Sequence, residues 1–346
     1  MTIQQHLVDL ARKRAVFVIA AVCSLMVLVG YVPVFGQANT TRDKDKNTST
    51  SSSAMKVSPL RTDVIIRPGE TRKVNITVQN VTTRPLTLKP IENDFIAGDN
   101  ENGIPDIILD EDKFAPTHSL KRFMAPLPNV VVQPGERQTV EVQITVPSTA
   151  QAGGYYGALR FAPIGSGNDK NINVSGSVAS LILLTVPGNT VESLQLTNFD
   201  IRQDRKTVSR LSSPDKVDVL LRLENKGNVH VSPFGSVNVQ KGGKLIYSAK
   251  VNDIKPAGVI LPDSARKWSV PIKKLGKFGK YEISATLGYG GSGDTIEVKK
   301  TIWIIPGAYI FFAILAFALL IILIVSIVLG LRAYKRRILR GVRRRR

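Results

Sequence analysis

The densest run of chemistry-bearing side chains in this chain is acidic. Between Glu92 and Asp112 stand eight carboxylates and no base. Asp99, Glu101 and Asp106, with Asn100 and Asn102 between them, could supply oxygens to Ca²⁺, which takes six to eight. The spacing departs from the EF-hand template, because Gly103 as the turn glycine would put Gly98 at the first ligand position. The same residues also read as a solvated hairpin with Asn102-Gly103 at its turn. Calcium is therefore the one cofactor that the chain suggests. His6, His118 and His230 lie far apart, and Cys23 is the single cysteine, so no zinc-ligand spacing is present. A nucleophile elbow and a phosphate-cradling glycine loop are likewise missing. Gly288 to Gly293 is glycine-rich but follows a strand pattern, and reads as a hairpin turn. The expectation is a protein without enzymatic activity.

A second cluster could bind rather than react. Tyr155, Tyr156 and Phe161 stand among Gly153, Gly154 and Gly157. In a strand, neighbouring side chains point to opposite faces, so one of the paired tyrosines must face outward. Tyr155 and Tyr156 are the candidate partner-binding residues, with a core and an edge role as the alternative.

These residues need a scaffold, and the pattern around them is that of strands. Val74-Asn-Ile76-Thr-Val78, Val140-Glu-Val142-Gln-Ile144 and Val217-Asp-Val219-Leu-Leu221 alternate apolar and polar, the period of a half-buried strand. No helical period runs through residues 55–301, which makes the class all-β. Pro68-Gly69-Glu70, Pro134-Gly135-Glu136 and Pro262-Asp263-Ser264 each precede an alternating run by the same offset. Asn80 after the first run matches Asn225 after the third, and Gly154-Tyr155-Tyr156 matches Gly279-Lys280-Tyr281. A duplicated unit of about 100 residues is the size of one β-sandwich. The reading is two tandem immunoglobulin-like sandwiches, 55–189 and 190–301. Tyr156 and Tyr281 are placed at their tyrosine corners, and Leu181 to Leu184 forms a strand closing the first.

Both ends of the chain are apolar and flanked by bases. Ala15 to Val34 follows Arg12, Lys13 and Arg14, and reads as a signal peptide or signal anchor within residues 1–38. Residues 39–54 are a polar tether. Residues 302–331 are uncharged, with Pro306 and Gly307 at the outer end of a membrane span, and 332–346 form a basic cytoplasmic tail. The positive-inside rule then puts 39–301 on the extracellular side of a cell membrane. The formal net charge is +20. Residues 55–165 balance at twelve acids and twelve bases, whereas 166–301 hold twenty bases against twelve acids. The basic half is the half nearest the span. A stop-transfer anchor attracted to anionic lipid explains the tail better than a nucleic-acid partner does.

Ser58-Pro59-Leu60, Ile66-Arg67-Pro68-Gly69-Glu70, Val78-Gln79-Asn80, Asn102-Gly103 and the Pro-Gly-Glu strand at 134 together resemble the bacterial surface proteins that interact with WxL-type wall proteins. Asn225-Lys-Gly-Asn228, Leu261-Pro262-Asp-Ser264 and Phe278-Gly-Lys-Tyr281 are similar to the second half of related membrane-anchored proteins. The resemblance implies a membrane-anchored cell-surface protein whose ectodomain binds a surface protein or a cell-wall polymer, with the lipid bilayer as its further partner. The alternative is a structural spacer, or a subunit of a membrane assembly that associates through its span.

Overall fold

The computed structural model describes residues 54–164, 176–291 and 293–342. The expected signal segment, residues 39–53 of the polar tether and residues 343–346 lie outside them. The alternating runs form strands in the way their periodicity requires. β3 (Thr71–Asn80) buries Val74, Ile76 and Val78, and β7 (Arg137–Thr145) buries Val140, Val142 and Ile144. The two pair antiparallel, Val74 against Val142 and Ile76 against Val140, so their apolar residues share one face.

With β1 (Met55–Ser58) on the other side of β3, these strands make a three-stranded sheet in the order β1-β3-β7. The facing sheet contains β2 (Arg61–Ile65), β4 (Leu86–Ala97), β8 (Gly153–Pro163) and β9 (Val178–Val186), in the order β2-β9-β8-β4. Two short strands, β5 (Pro105–Ile107) and β6 (Val130–Val132), add to β4. The expected strand at Leu181 to Leu184 is the centre of β9, parallel to β2 and antiparallel to β8. Val74, Ile76, Val142 and Ile144 from one sheet meet Leu88, Phe161, Ile182 and Leu184 from the other in a single core.

A second sandwich follows. β10 (Leu194–Gln203), β11 (Lys206–Thr207), β12 (Val217–Asn225) and β15 (Ala265–Pro271) form the sheet β11-β10-β12-β15. β13 (Phe234–Lys241), β14 (Lys244–Val251), β16 (Gly279–Tyr289) and β17 (Asp294–Ile304) form the sheet β14-β13-β16-β17. Their shared core holds Val219, Leu221 and Leu223 against Val237, Ile283 and Leu287.

The parallel between the two halves extends to hydrogen bonds. Asn80 and Asn225 are both fully buried at strand ends. The Nδ2 of Asn80 donates to the carbonyls of Arg84 and Val132, and that of Asn225 to Val229 and Ile260. Each Oδ1 accepts the amide two residues on, from Thr82 and Gly227. A buried amide is tolerated only when its donors and acceptor are met in this way. The tyrosine pairing is corrected by one residue. Tyr281 accepts the Gly276 amide at 2.9 Å, and in the first sandwich it is Tyr155 whose hydroxyl donates back, to the Gln151 carbonyl at 2.9 Å. Gly153 and Gly279 open β8 and β16, so Tyr155 and Tyr281 stand at the same offset and Tyr156 does not.

Pairing of Gly279 with Ile304 carries β17 into the apolar stretch that begins at Ile302, and Ile302 and Ile304 belong to the second core. The helix α1 (Gly307–Val342) starts after Pro306. Its segment Gly307–Lys335 has 29 residues, and the most apolar 18-residue stretch within it has a mean hydropathy of 3.3 and no buried side chains. At ~1.5 Å per residue it is about 43 Å long, enough to cross a ~30 Å hydrocarbon core.

Candidate functional site

The two sandwiches meet over the outer face of the β4-β8-β9 sheet. Phe95, Tyr156 and Leu183 from that face pack with Leu261 and Val259, which lie in the loop between β14 and β15. Polar bonds fix the junction. The Gly154 amide donates to the Asn228 carbonyl at 2.8 Å. His230 Nε2 lies 3.3 Å from Asp63 Oδ1. Burial would raise the Asp63 carboxyl, but the bond to His230 and the charge of Arg61 outweigh it and hold the group below its ordinary value.

Beside this junction a cavity of about 220 Å³ opens between the sandwiches. Its first wall is Phe95, Leu181 and Leu183, and its second is Ile254, Val259 and Leu261. Leu60, Ile104 and Ile254 at its rim are 65%, 65% and 64% exposed. Isolated exposed apolar residues are ordinary, but several around one concave site mark a binding surface.

Two guanidinium groups line this apolar cleft. Arg61 bonds to Asp63 through Nε at 3.0 Å and to the Ala257 carbonyl through Nη1 at 2.6 Å. Arg266 lies over Trp268, its Cζ 5.0 Å from the ring centroid, and Nη1 donates to the Val259 carbonyl at 3.1 Å. Its Nε is buried without a partner, and no carboxylate is paired with it among the described residues. Burial, then the charge of Arg61, push its pKa down. Gly103 and Gly258 make room for this side chain, since a Cβ on either would come within 2.0 and 2.6 Å of its Cζ. A half-buried cation next to a second cation is an unfavourable arrangement that an anion entering the cleft would relieve.

The expected sites fall differently. Glu101 is turned to the second sandwich. It takes Arg222 in a two-point pair at 2.6 and 2.9 Å and Lys267 at 2.8 Å, while its carbonyl accepts the Lys267 amide at 2.7 Å. The bonds from Arg222, then from Lys267, hold its carboxyl at about 2. Asp99 and Asp106 do not join it, and no group of three metal-capable side chains occurs among the described residues. The acidic loop thus acts as a clamp between the sandwiches. Tyr156 is 2% exposed and packs against Phe95, His118 and His230, so it belongs to the junction rather than to an outer surface. Burial pushes its hydroxyl well above the ordinary tyrosine value. Tyr155 packs on Phe123 and caps its own strand through Gln151. Arg61 and Arg266 went unrecognised in the sequence because neither sits in a motif, and only the packing of distant segments brings them to one cleft.

No family model matches the chain, and no curated protein matches it. Solved structures similar to it include fimbrial chaperones. The class 5 fimbriae chaperone CfaA is 12% identical, with 73% of this chain and 99% of that one covered and a TM-score of 0.37. The chaperone–tip adhesion subunit complex CsuC–CsuE of Acinetobacter baumannii gives 10% identity, coverage of 72% and 97%, and a TM-score of 0.35. The Salmonella enterica SafB chaperone with the SafA pilin gives 13%, 70% and 95%, and 0.32. The resemblance to WxL-interacting proteins is corrected by this result, and with it the surface-protein role that it implied. Turn motifs of the Pro-Gly-Glu kind recur wherever a tight turn feeds an alternating strand, so they do not mark one family.

Proposed function

We propose that this chain is a non-enzymatic partner-binding protein, chaperone-like in kind, that holds an extended segment of another protein in the cleft between two immunoglobulin-like domains. The segment's apolar side chains would rest on Leu60, Ile104 and Ile254, and a carboxylate of the segment would meet Arg266 and Arg61. The observation that carries this reading is the half-buried Arg266 guanidinium, without an acidic partner, facing an apolar cleft. A charge in that position is stabilised by a desolvated carboxylate far more than by water at a surface. Chaperones among the similar structures are described in complex with a pilin or a tip adhesion subunit, partners of the same class, but the reading rests on the cleft. We place α1 across a membrane, with the sandwiches on the non-cytoplasmic side and the basic tail in the cytoplasm.

The test is peptide binding to the detergent-solubilised full chain. Apolar heptapeptides carrying one Asp or Glu are compared with their Asn or Gln counterparts. The expected result is at least a tenfold preference for the acidic peptides, abolished by Arg266→Ala. Gly103→Ala, which displaces the guanidinium, should weaken binding in the same way. Equal binding of acidic and neutral peptides, unchanged in Arg266→Ala, would exclude the cleft as an anion-reading site.

A further inference from the structure

The charges of the second sandwich are sorted by end. Gln203 and Val217, the C-terminal end of β10 and the start of β12, pair with one another, and β15 ends beside them at Pro271. In the other sheet the hairpin Lys241–Lys244 and the start of β16 lie at the end where β17 finishes, because Gln240 pairs with Glu282 and Gly279 with Ile304. The two sheets are joined at this end by Leu211, which pairs with Ile304 and bonds to the Trp303 carbonyl and the Ile305 amide. The loops 204–216, 241–244 and 272–278 therefore form one end of the sandwich, and α1 departs from it. They carry nine Lys or Arg against two Asp. All nine bases are exposed, and Asp204 is already paired with Lys216. The opposite end, made by 187–193, 226–233, 252–264 and 290–291, carries two bases against three acids.

Aromatic side chains accompany the basic end. Phe278 and Trp303 are exposed, and the Phe278 ring lies 5.6 Å from that of Tyr309 in the first turn of α1. Lys241 is fastened to the same loop through the Phe278 carbonyl at 3.1 Å. Rings at the start of a membrane span sit at headgroup depth, and clustered lysines beside them are attracted to anionic lipid. We propose that this end of the second sandwich is a docking face for anionic lipid headgroups of the bilayer that α1 crosses, which rests on the reading of α1 as a membrane span. Docking there would hold the sandwich against the membrane and turn the cleft end outward.

The experiment places the full chain in nanodiscs of pure phosphatidylcholine and of phosphatidylcholine with phosphatidylglycerol, and measures lysine acetylation by mass spectrometry. Lys273, Lys274 and Lys277 should lose reactivity at least threefold in the anionic discs, and 0.5 M NaCl should restore it, as screening requires (~3–10 Å over this salt range). Lys226 and Lys255 at the opposite end should not change. Equal reactivity in both lipids would overturn the docking face while leaving the span intact. A chain that enters neither disc would overturn the span, and the docking face with it.

Discussion

Glu101, expected from the sequence as a calcium candidate, pairs in the structure with Arg222 and Lys267. Its folded-state pKa of about 2 lies below the ordinary 4.5. A depressed carboxylate contributes stability that is present above its unfolded value and is lost as pH falls through the folded value. The wild type should thus lose stability between about pH 4.5 and 2, and Glu101→Gln should show a flatter profile there with a lower denaturation midpoint at pH 7. Urea melts across that range check both. Asn225 supplies a second case. Asn225→Ala would strip partners from three buried backbone groups, and a cost on the order of 3 kcal/mol is expected, measured as the loss in unfolding free energy. The asparagine repeat was legible in the sequence because its partners lie within a few residues and after the same turn. The ion pairs of Glu101 were not, because Arg222 and Lys267 reach it only through the docking of separate segments.

At the scale of elements, alternation was sufficient to anticipate β3, β7 and β12, and the continuous apolar run Leu181 to Leu184 to anticipate β9, since each signal is local. The register of β8 was less accessible. Adjacent tyrosines offer the same composition to either face, and the choice between them depends on Gly153 opening the strand as Gly279 does. The structure makes that choice testable. Tyr155→Phe and Tyr281→Phe each remove one hydrogen bond to backbone and should each cost about 1 kcal/mol. Tyr156→Phe should fall within about 0.5 kcal/mol of the wild type. Its buried hydroxyl has no hydrogen-bond partner of ordinary geometry. A Tyr156→Phe loss as large as the other two would return the corner role to that residue.

For the whole molecule, composition and end segments indicated a β body followed by one apolar helix, and the described residues have that order. The cleft was invisible at this scale too, because its walls come from segments far apart in the chain, near residues 60, 100, 182 and 260. Since α1 contributes no side chain to either core, a chain of residues 54–305, without the N-terminal apolar segment and α1, should keep the melting temperature of the sandwiches within about 2 °C and should be found in the soluble fraction. Fractionation and a thermal melt decide this together. The position of α1 also has a mechanical consequence. Cleft and helix sit at opposite ends of the second sandwich, so on the reading proposed here, with a partner in the cleft and α1 in a membrane, tension between the two would run along the strands. β16 and β17 share eleven paired residues under that load. Pulled lengthwise, such a ladder is sheared and its bonds share the force at once, whereas a ladder pulled sideways opens one bond at a time. On that reading the second sandwich would act as a stiff tether.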